Sequence, residues 1–269
     1  MTSTRRFRFG AVLGGRGAAT AWGETARGLK DAGYATVLVP DTVATAAPFQ
    51  VLAVVAATTS SLHVGTWVLS APLREPQQVV REARTLWELS DGRLELGVGA
   101  GRPGGEHDAA ALGVPWGTAG ERVRRVGQTL SAVALDPAPP IVVAASGDRM
   151  LRLAGRYADT LALPLPPTAD AAQIAALAEH VRAGAGKDLE LALQMVGVGE
   201  DVPEQVRRWT GLTAAQLRES GAAALLTGDV EADADHLRGL RERTGVSYLT
   251  VPGDLTSRMA PLVARLTGT

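Results

Sequence analysis

The sequence contains no cysteine. Disulfide bonds, thiolate metal sites and a cysteine nucleophile are therefore excluded. Histidine is also scarce: four residues stand at distant positions, none with the HxH or HExxH spacing of a metal site, so we expect no resident metal. The sequence has no G-x-S-x-G motif either, so a serine hydrolase triad has no starting point.

The chain also has little net charge. Its 27 basic and 28 acidic residues give a formal charge of −1, and no long run of one sign occurs. This balance gives no electrostatic reason to expect nucleic acid or an anionic membrane as a partner. No apolar run approaches the roughly 20 residues of a membrane span, and the N-terminal residues do not resemble a signal peptide. We therefore expect a soluble, cytoplasmic protein whose partner is a small-molecule substrate.

What the sequence does have is a regular alternation of short apolar runs with helical patterns, which is typical of βα units. The apolar runs predict eight strands, at 7–13, 35–40, 62–69, 93–99, 141–145, 160–165, 189–199 and 246–252. The patterns after them predict helices near 21–32, 49–60, 75–90, 120–135, 148–158, 169–184, 203–226, 231–244 and 256–267.

Eight strands, each followed by a helix, is the number that a (β/α)8 barrel requires. A doubly wound sheet more often has five or six strands, and two small domains are the other arrangement that 269 residues allow. The sequence therefore predicts one α/β domain over residues 1–269, a (β/α)8 TIM barrel. The loops after the strands of such a barrel gather on one face, which would hold Asp41, Ser70, Ala71, residues 99–101 and residues 146–147.

One of these loops is rich in both glycine and ionisable residues. The stretch "GRLELGVGAGRPGGEHDAAALG" (92–113) begins as a strand and continues into glycines, where backbone can approach a ligand closely. Its spacing does not match the dinucleotide fingerprint, because no G-x-G-x-x-G opens a helix with an acidic residue about 20 positions on. The stretch is either a strand that ends at an active site or an ordinary strand with an ordinary loop.

Five segments together resemble the luciferase-like monooxygenases, and specifically their actinobacterial branch that uses the deazaflavin coenzyme F420. They are "GYATVLVPD" (33–41), "VGTWVLSAPLREP" (64–76), "REARTLWELSDGRLELGVGAG" (81–101), "PPIVVAASGDRMLRLAGRYAD" (139–159) and "GVSYLTVP" (245–252). The low lysine content, Lys30 and Lys187 against many arginines, agrees with an actinobacterial source. The resemblance implies a (β/α)8 barrel that holds a flavin or deazaflavin at its top face, commonly as a homodimer.

The resemblance also implies a ring-binding site at the ends of the second and third strands. Asp41 matches the carboxylate beside the cofactor ring. Thr66, Trp67 and Val68 match the end of the third strand, where the family often has a non-proline cis peptide behind the ring. Trp67 faces either the barrel mouth or the helix layer, because the register that decides between them is not known from the sequence.

The remaining cofactor contacts are implied along the fourth and fifth strands. The loop that lies along the cofactor matches Gly99, Gly101 and Arg102. The loop that binds the cofactor phosphate matches Ala145, Ser146, Gly147 and Asp148.

The residue pattern itself also favours an anion at the loop after the fifth strand. "IVVAA" ends in small residues and a helix follows at once, so free backbone N–H groups and the helix dipole would converge on one point. The alternative is that Ser146 and Asp148 only cap the helix.

Three features depart from the family pattern. Thr42 stands where many deazaflavin members have His after the aspartate, and Arg102 stands where relatives have Glu or Trp. The proton-transfer chemistry of the family's sugar-phosphate dehydrogenases is therefore not carried over. The segment 131–139 before the fifth strand is shorter than usual, which predicts a more open pocket.

Arg102 and His107 are the candidates for contact with substrate. The guanidinium of Arg102 can neutralise a phosphate or a carboxylate, or it is a solvated loop residue. His107 can act as a general acid or base, or it lies at the surface where a helix starts.

Together these features predict an oxidoreductase that uses F420 to pass a hydride to or from a small organic molecule. Asp41, Arg102 and His107 would be its catalytic residues. The first alternative is an FMN-dependent monooxygenase. The others are a barrel that has lost catalysis and only binds a flavin or metabolite, and a cofactor-free cyclase or isomerase.

Overall fold

Eight parallel strands form the centre of the computed structural model, which describes residues 5–133, 138–145 and 147–269. In chain order they are β1 (Arg8–Val12), β2 (Thr36–Val39), β3 (His63–Thr66), β4 (Leu94–Gly99), β5 (Ile141–Ala144), β6 (Thr160–Ala162), β7 (Glu190–Gln194) and β8 (Val246–Pro252). Hydrogen bonds join them in the order β3-β2-β1-β8-β7-β6-β5-β4, and β3 also pairs with β4. The sheet is therefore closed, and the predicted (β/α)8 TIM barrel is confirmed.

Helices surround this barrel. They are α1 (Ala19–Asp31), α2 (Pro48–Thr58), α3 (Pro76–Leu89), α4 (Gly105–Leu112), α5 (Ala119–Val133), α6 (Asp148–Tyr157), α7 (Ala171–Ala185), α8 (Glu204–Thr210), α9 (Ala214–Glu219), α10 (Val230–Thr244) and α11 (Thr256–Leu266). The more open pocket predicted from the short segment 131–139 stays a prediction, because part of that segment lies outside the described residues. None of the described helices combines the length and hydropathy that crossing a membrane requires.

The predicted extent of the third strand is wrong. The prediction covered 62–69, but β3 ends at Thr66. Residues 69 and 70 form a separate short strand that pairs with β4, with Leu69 opposite Val98 and Ser70 opposite Gly99. The chain thus leaves the barrel wall between these two short strands and returns to it.

The region after β7 also differs from the prediction. The strand predicted over 189–199 ends at Gln194, because residues 197–198 pair with 225–226 in a second, two-stranded sheet. The helix predicted over 203–226 is split into α8 and α9, since Gly211 with φ of +71° ends α8 in the left-handed conformation.

Apolar residues at helical spacing attach the helices to the barrel. In α3, Pro76 occupies the first turn, where its missing N–H costs no hydrogen bond. Val79, Ala83 and Leu86 then recur on one face and are buried. All six residues of β4 are buried, because a barrel strand faces the helices on one side and the barrel interior on the other.

The apolar helix α2 serves mainly as core. Leu52, Val55 and Ala56 are buried, while Val51 and Val54 are half-buried and also pack against the core. An apolar helix of this kind suits either the core or a subunit interface. The homodimer stays a prediction.

A buried ion cluster closes the N-terminal end of the barrel. Arg8 on β1 donates Nε and Nη2 to the carboxylate of Glu190 on β7, with a shortest distance of 2.6 Å, and Nη1 to Glu95 on β4 at 2.7 Å. Thr36 on β2 and Thr160 on β6 donate their hydroxyls to Glu95 and Glu190, at 2.9 and 2.8 Å. One cation and two anions therefore connect five of the eight strands inside the barrel.

An aromatic ring completes this cluster. The guanidinium carbon of Arg8 lies 3.5 Å from the ring centroid of Tyr248 on β8. Burial by itself lowers the pKa of Arg8, but Tyr248, Glu95 and Glu190 outweigh that effect and raise it. Burial raises the pKa of Tyr248 well above its usual value. At neutral pH Arg8 is therefore charged and the phenol is neutral.

We predict that Arg8→Met strongly destabilises the protein. The substitution removes the cation and leaves Glu95 and Glu190 as buried, uncompensated carboxylates. Breaking a buried ion pair in this way costs about 3–5 kcal/mol of the free energy of unfolding. Urea denaturation followed by tryptophan fluorescence at pH 7 measures this change.

Arg265→Gln is the matched control, because Arg265 pairs with Glu231 at 3.0 Å on the exposed surface. Its expected loss is much smaller, because water and salt screen an exposed ion pair. If the two variants lose the same small free energy of unfolding, the ion cluster does not hold the barrel together.

Candidate active site

The loops after the strands surround a cavity of about 780 Å³ at the barrel mouth. Its lining mixes apolar, amide and charged side chains, among them Leu13, Arg16, Trp22, Thr42, Trp67, Arg102, Gln194, Arg208 and Asp254. The volume falls within the roughly 300–1,000 Å³ that small-molecule sites usually occupy. The mouth cavity is therefore the candidate active site.

Trp67 faces the mouth cavity, which settles the direction that the sequence left open. The peptide bond between Trp67 and Val68 is cis, as the resemblance led us to expect. The indole Nε1 donates to Oε1 of Gln194 at 3.1 Å, and the ring packs edge-on against Tyr248 with centroids 6.1 Å apart. A hydrogen bond thus spans the mouth from the end of β3 to the end of β7. Within the described residues, no protein group engages the NH2 of Gln194.

Thr66 and Val68, on either side of Trp67, contact β4. The hydroxyl of Thr66 bonds both the N–H and the carbonyl of Gly97, at 2.8 Å each. A Cβ added at Gly97 or Gly99 would lie 2.8 Å from a methyl group of Val68. These two glycines therefore make room for Val68. The assignment of Thr66, Val68 and Gly99 to a cofactor stays a prediction.

The carboxylate of Asp41 is engaged by three donors. Arg74 donates Nε and Nη2 to its two oxygens at 2.7 Å each, and the N–H of Ser70 donates at 3.1 Å. Burial lowers the pKa of Arg74, but its hydrogen bonds to Asp41 and the charge of that carboxylate outweigh burial and raise it. Asp41 lines an adjoining pocket of about 560 Å³ that shares Arg16 and Thr42 with the mouth cavity. This geometry favours a positioning role for Asp41 over proton transfer.

Arg102 reaches the mouth cavity, and His107 does not. Nη2 of Arg102 donates to Oδ2 of Asp108 at 2.8 Å, and the buried Asp108 also accepts the N–H of Val43 at 3.4 Å. Asp108 therefore ties the loop after β4 to the loop after β2. His107 is exposed on α4, with Nδ1 3.2 Å from the carbonyl of Gly104, and it is not among the described residues that line the cavity.

Trp116 covers the glycine loop after β4. A Cβ added at Gly101 or Gly105 would lie 2.2 or 2.3 Å from its indole ring. Arg122 holds this arrangement, with its guanidinium 4.7 Å from the indole centroid and its Nε donating to the carbonyl of Ala100 at 3.2 Å. The close approach that we expected from a ligand at Gly101 is made here by the protein's own tryptophan.

The predicted phosphate loop lies at the N-terminus of α6. Ala145 is buried, Gly147 is the N-cap residue and Asp148 is the first helical residue. No side-chain cap is recorded among the described residues, so the first-turn N–H groups suit an anion. The carboxylate of Asp148 lies 3.4 Å from Nε2 of His180 on α7. Ser146 lies outside the described residues, and the assignment of the loop to a phosphate stays a prediction.

Several residues at the site were not predicted. Gln194 carries a signal in the sequence, since it is the polar residue that ends the apolar run of β7 at the rim. Arg74 stands 33 positions from Asp41, and only the folded barrel brings the two together. Asp108 and Trp116 are likewise defined by contacts between loops that the sequence does not specify.

Residues 5–248, which are most of the chain, match the family model described as luciferase-like monooxygenase. This protein therefore belongs to the luciferase-like monooxygenase family, which confirms the resemblance. Proteins similar to this chain include enzymes named as F420-dependent and an enzyme solved with a modified FMN.

The chain is 34% identical over 134 residues to an F420-dependent glucose-6-phosphate dehydrogenase of Beutenbergia cavernae, a match over 40% of this chain and 39% of the relative. The match thus spans about two fifths of the length of that curated relative. A riboflavin lyase solved with modified FMN and riboflavin has a TM-score of 0.75 at 16% identity, over 97% of this chain and 92% of that one. The F420-dependent tetrahydromethanopterin reductase of Methanopyrus kandleri has a TM-score of 0.71 at 15% identity, over 97% of both chains. At such identities the two solved structures show the shared fold alone.

We predict that Gly101→Ala destabilises the glycine loop. Gly101 has φ of +87°, and its new Cβ would meet the ring of Trp116. The expected loss in the free energy of unfolding is about 1–3 kcal/mol. Urea denaturation measures the loss.

Gly15→Ala is the matched control, because no atom lies within 4 Å of a Cβ at Gly15 and its φ is not positive. Adding Trp116→Ala to Gly101→Ala should recover the steric part of the loss and leave the backbone part. A Gly101→Ala variant as stable as Gly15→Ala would show that Trp116 does not pack on this loop.

Proposed function

We propose that this protein is an F420-dependent oxidoreductase that transfers a hydride to or from a small organic substrate at the barrel mouth. The observation that carries the proposal is the mouth cavity with Trp67, which directly precedes a cis peptide and is hydrogen-bonded to Gln194. The relative named as an F420-dependent dehydrogenase supports the deazaflavin.

The residues of the mouth cavity fit a planar tricyclic ring. A fused ring system has apolar faces and polar edges, so it needs an aromatic or aliphatic wall and a few donors. Trp67 and Leu13 supply such a wall, and the unengaged NH2 of Gln194 supplies donors. A volume of about 780 Å³ also leaves room for a small substrate beside the ring.

When bound, the deazaflavin would supply the two-electron hydride chemistry, as cofactors do in such enzymes. The protein would supply binding and orientation. Trp67 would contact the ring, Gln194 would donate to its polar edge, and the Asp41–Arg74 pair would hold the adjoining loops in place. The first turn of α6 would bind the anionic part of the cofactor through backbone N–H groups.

Substrate would bind on the side of the cavity that Arg102 lines. The side chain of Arg102 is 53% exposed, and Asp108 holds its position. Arg102 is therefore able to orient a carbonyl or carboxylate oxygen with its planar donors. His107 lies away from the cavity, so its predicted role as an acid or base is not part of the proposal.

We predict that F420 binds to the purified protein and quenches its tryptophan fluorescence, with a smaller quench in Trp67→Phe. Gln194→Leu should weaken F420 binding about five- to tenfold, since one hydrogen bond to a ligand contributes about 1 kcal/mol. Gln78→Leu is the matched control, because Gln78 is an exposed amide on α3 that bonds Glu82.

The same titration with FMN separates the alternatives. Binding of FMN but not F420 would replace the proposal with an FMN-dependent monooxygenase. Binding of neither would leave a barrel that has lost its cofactor or works without one, and turnover without any flavin would identify a cyclase or isomerase. Equal affinity of Gln194→Leu and Gln78→Leu for F420 would show that Gln194 does not bind the cofactor.

A further inference from the structure

A basic groove runs along the outside of the barrel between α5 and α6. Its volume is about 1190 Å³, and its lining includes Arg124, Arg125, Arg149, Arg152 and Arg156. Glu75 is the one acidic residue recorded in the lining. The groove is separate from the mouth cavity, and nothing in the proposed function uses it.

The arginines of the groove differ in how far their charges are neutralised. Arg125 pairs with Glu75 at 3.2 Å, and Arg124 lies 3.7 Å from Glu121. Within the described residues, no salt bridge involves the three arginines of α6. These three exposed guanidinium groups therefore carry the positive charge of the groove.

The three α6 arginines form a row. Arg149, Arg152 and Arg156 are spaced by three and four residues, so they lie on one face of the helix about 4.5 and 6 Å apart along its axis. Asp148 pairs with His180 of α7, on the other flank of α6. The row therefore faces α5 without interruption by that carboxylate.

Gly127 of α5 and Leu153 of α6 both line the groove. A Cβ at Gly127 of α5 would lie 3.4 Å from Leu153 of α6, so the two helices approach closely at this point. Nη1 of Arg149 lies 3.9 Å from the Cβ position of Gly120 near the start of α5, so this guanidinium reaches across to α5. The shape suits a thin, flexible chain with negative charges.

The groove begins where the cofactor phosphate would end. Arg149 is the second residue of α6 and lies two positions after Gly147, the N-cap residue in the predicted phosphate loop. A chain attached to a phosphate at this helix end would reach Arg149 first, then Arg152 and Arg156.

We infer that the α5–α6 groove binds a short row of carboxylates, namely the γ-linked glutamate tail that F420 carries beyond its phosphate. This inference rests on the proposed function. FMN ends at its phosphate and has no such tail, so the groove would favour the deazaflavin over the flavin. The contacts would be exposed ion pairs, so their contribution should fall as salt screens them.

Calorimetric titration with two forms of the cofactor tests this inference. The probes are F420 with several glutamates and the same molecule trimmed of all its glutamates. The unmodified protein should bind the long form about tenfold more tightly at low salt, as expected for three exposed ion pairs. The triple variant Arg149→Gln, Arg152→Gln, Arg156→Gln should bind both forms with equal affinity, because its affinity for the long form falls more than its affinity for the trimmed form.

The matched control removes three exposed arginines elsewhere, Arg27→Gln, Arg84→Gln and Arg243→Gln, and should keep the tenfold preference. Equal affinity of the unmodified protein for both forms would show that the groove does not bind the glutamate tail, and it would leave the proposed function intact. If neither form binds, the proposed function fails. Calorimetric titration with free penta-γ-glutamate then tests whether the groove binds carboxylates. Its binding, lost in the α6 triple variant alone, would support a carboxylate site, and absence of binding would overturn it.

Discussion

The hydrogen bond between Trp67 and Gln194 fixes the geometry on which the mouth of this barrel depends. Below it, Trp67 packs on Tyr248, and Tyr248 in turn lies against the guanidinium of Arg8, whose charge is held by Glu190. A continuous stack therefore runs from the ion cluster at one end of the barrel to the cavity at the other. Trp67 and Tyr248 are held by packing, and Arg8 is held by its ion pairs. The hydrogen bond from Trp67 therefore fixes the orientation of the Gln194 amide.

The fold followed from the sequence because alternating apolar runs report βα units directly. The errors fall where the chain departs from that rule. Residues 62–69 look like one strand, yet the barrel wall breaks at Trp67. Residues 189–199 also look like one strand, but 197–198 find their partner in 225–226, far along the chain. Apolar pattern shows that a segment is buried, and it does not show which neighbour buries it.

Only part of the site could be predicted from the sequence. The cis peptide at Trp67 and the proximity of Asp41 to Ser70 followed from the resemblance and from the barrel topology. The side chains that contact these groups could not be predicted, because they depend on contacts between loops. Arg74 engages the carboxylate of Asp41, and Trp116 fills the space beside Gly101. Both contacts favour the cavity that Trp67 and Gln194 line, and not the glycine loop, as the ligand-binding site.

The proposed function requires that a deazaflavin ring binds in the mouth cavity. A crystal structure of the protein grown with equal concentrations of F420 and FMN tests it most directly. We expect electron density for the deazaflavin in the mouth cavity, in contact with Trp67 and Gln194. Density for FMN in that cavity, or a deazaflavin ring bound elsewhere on the molecule, would contradict it.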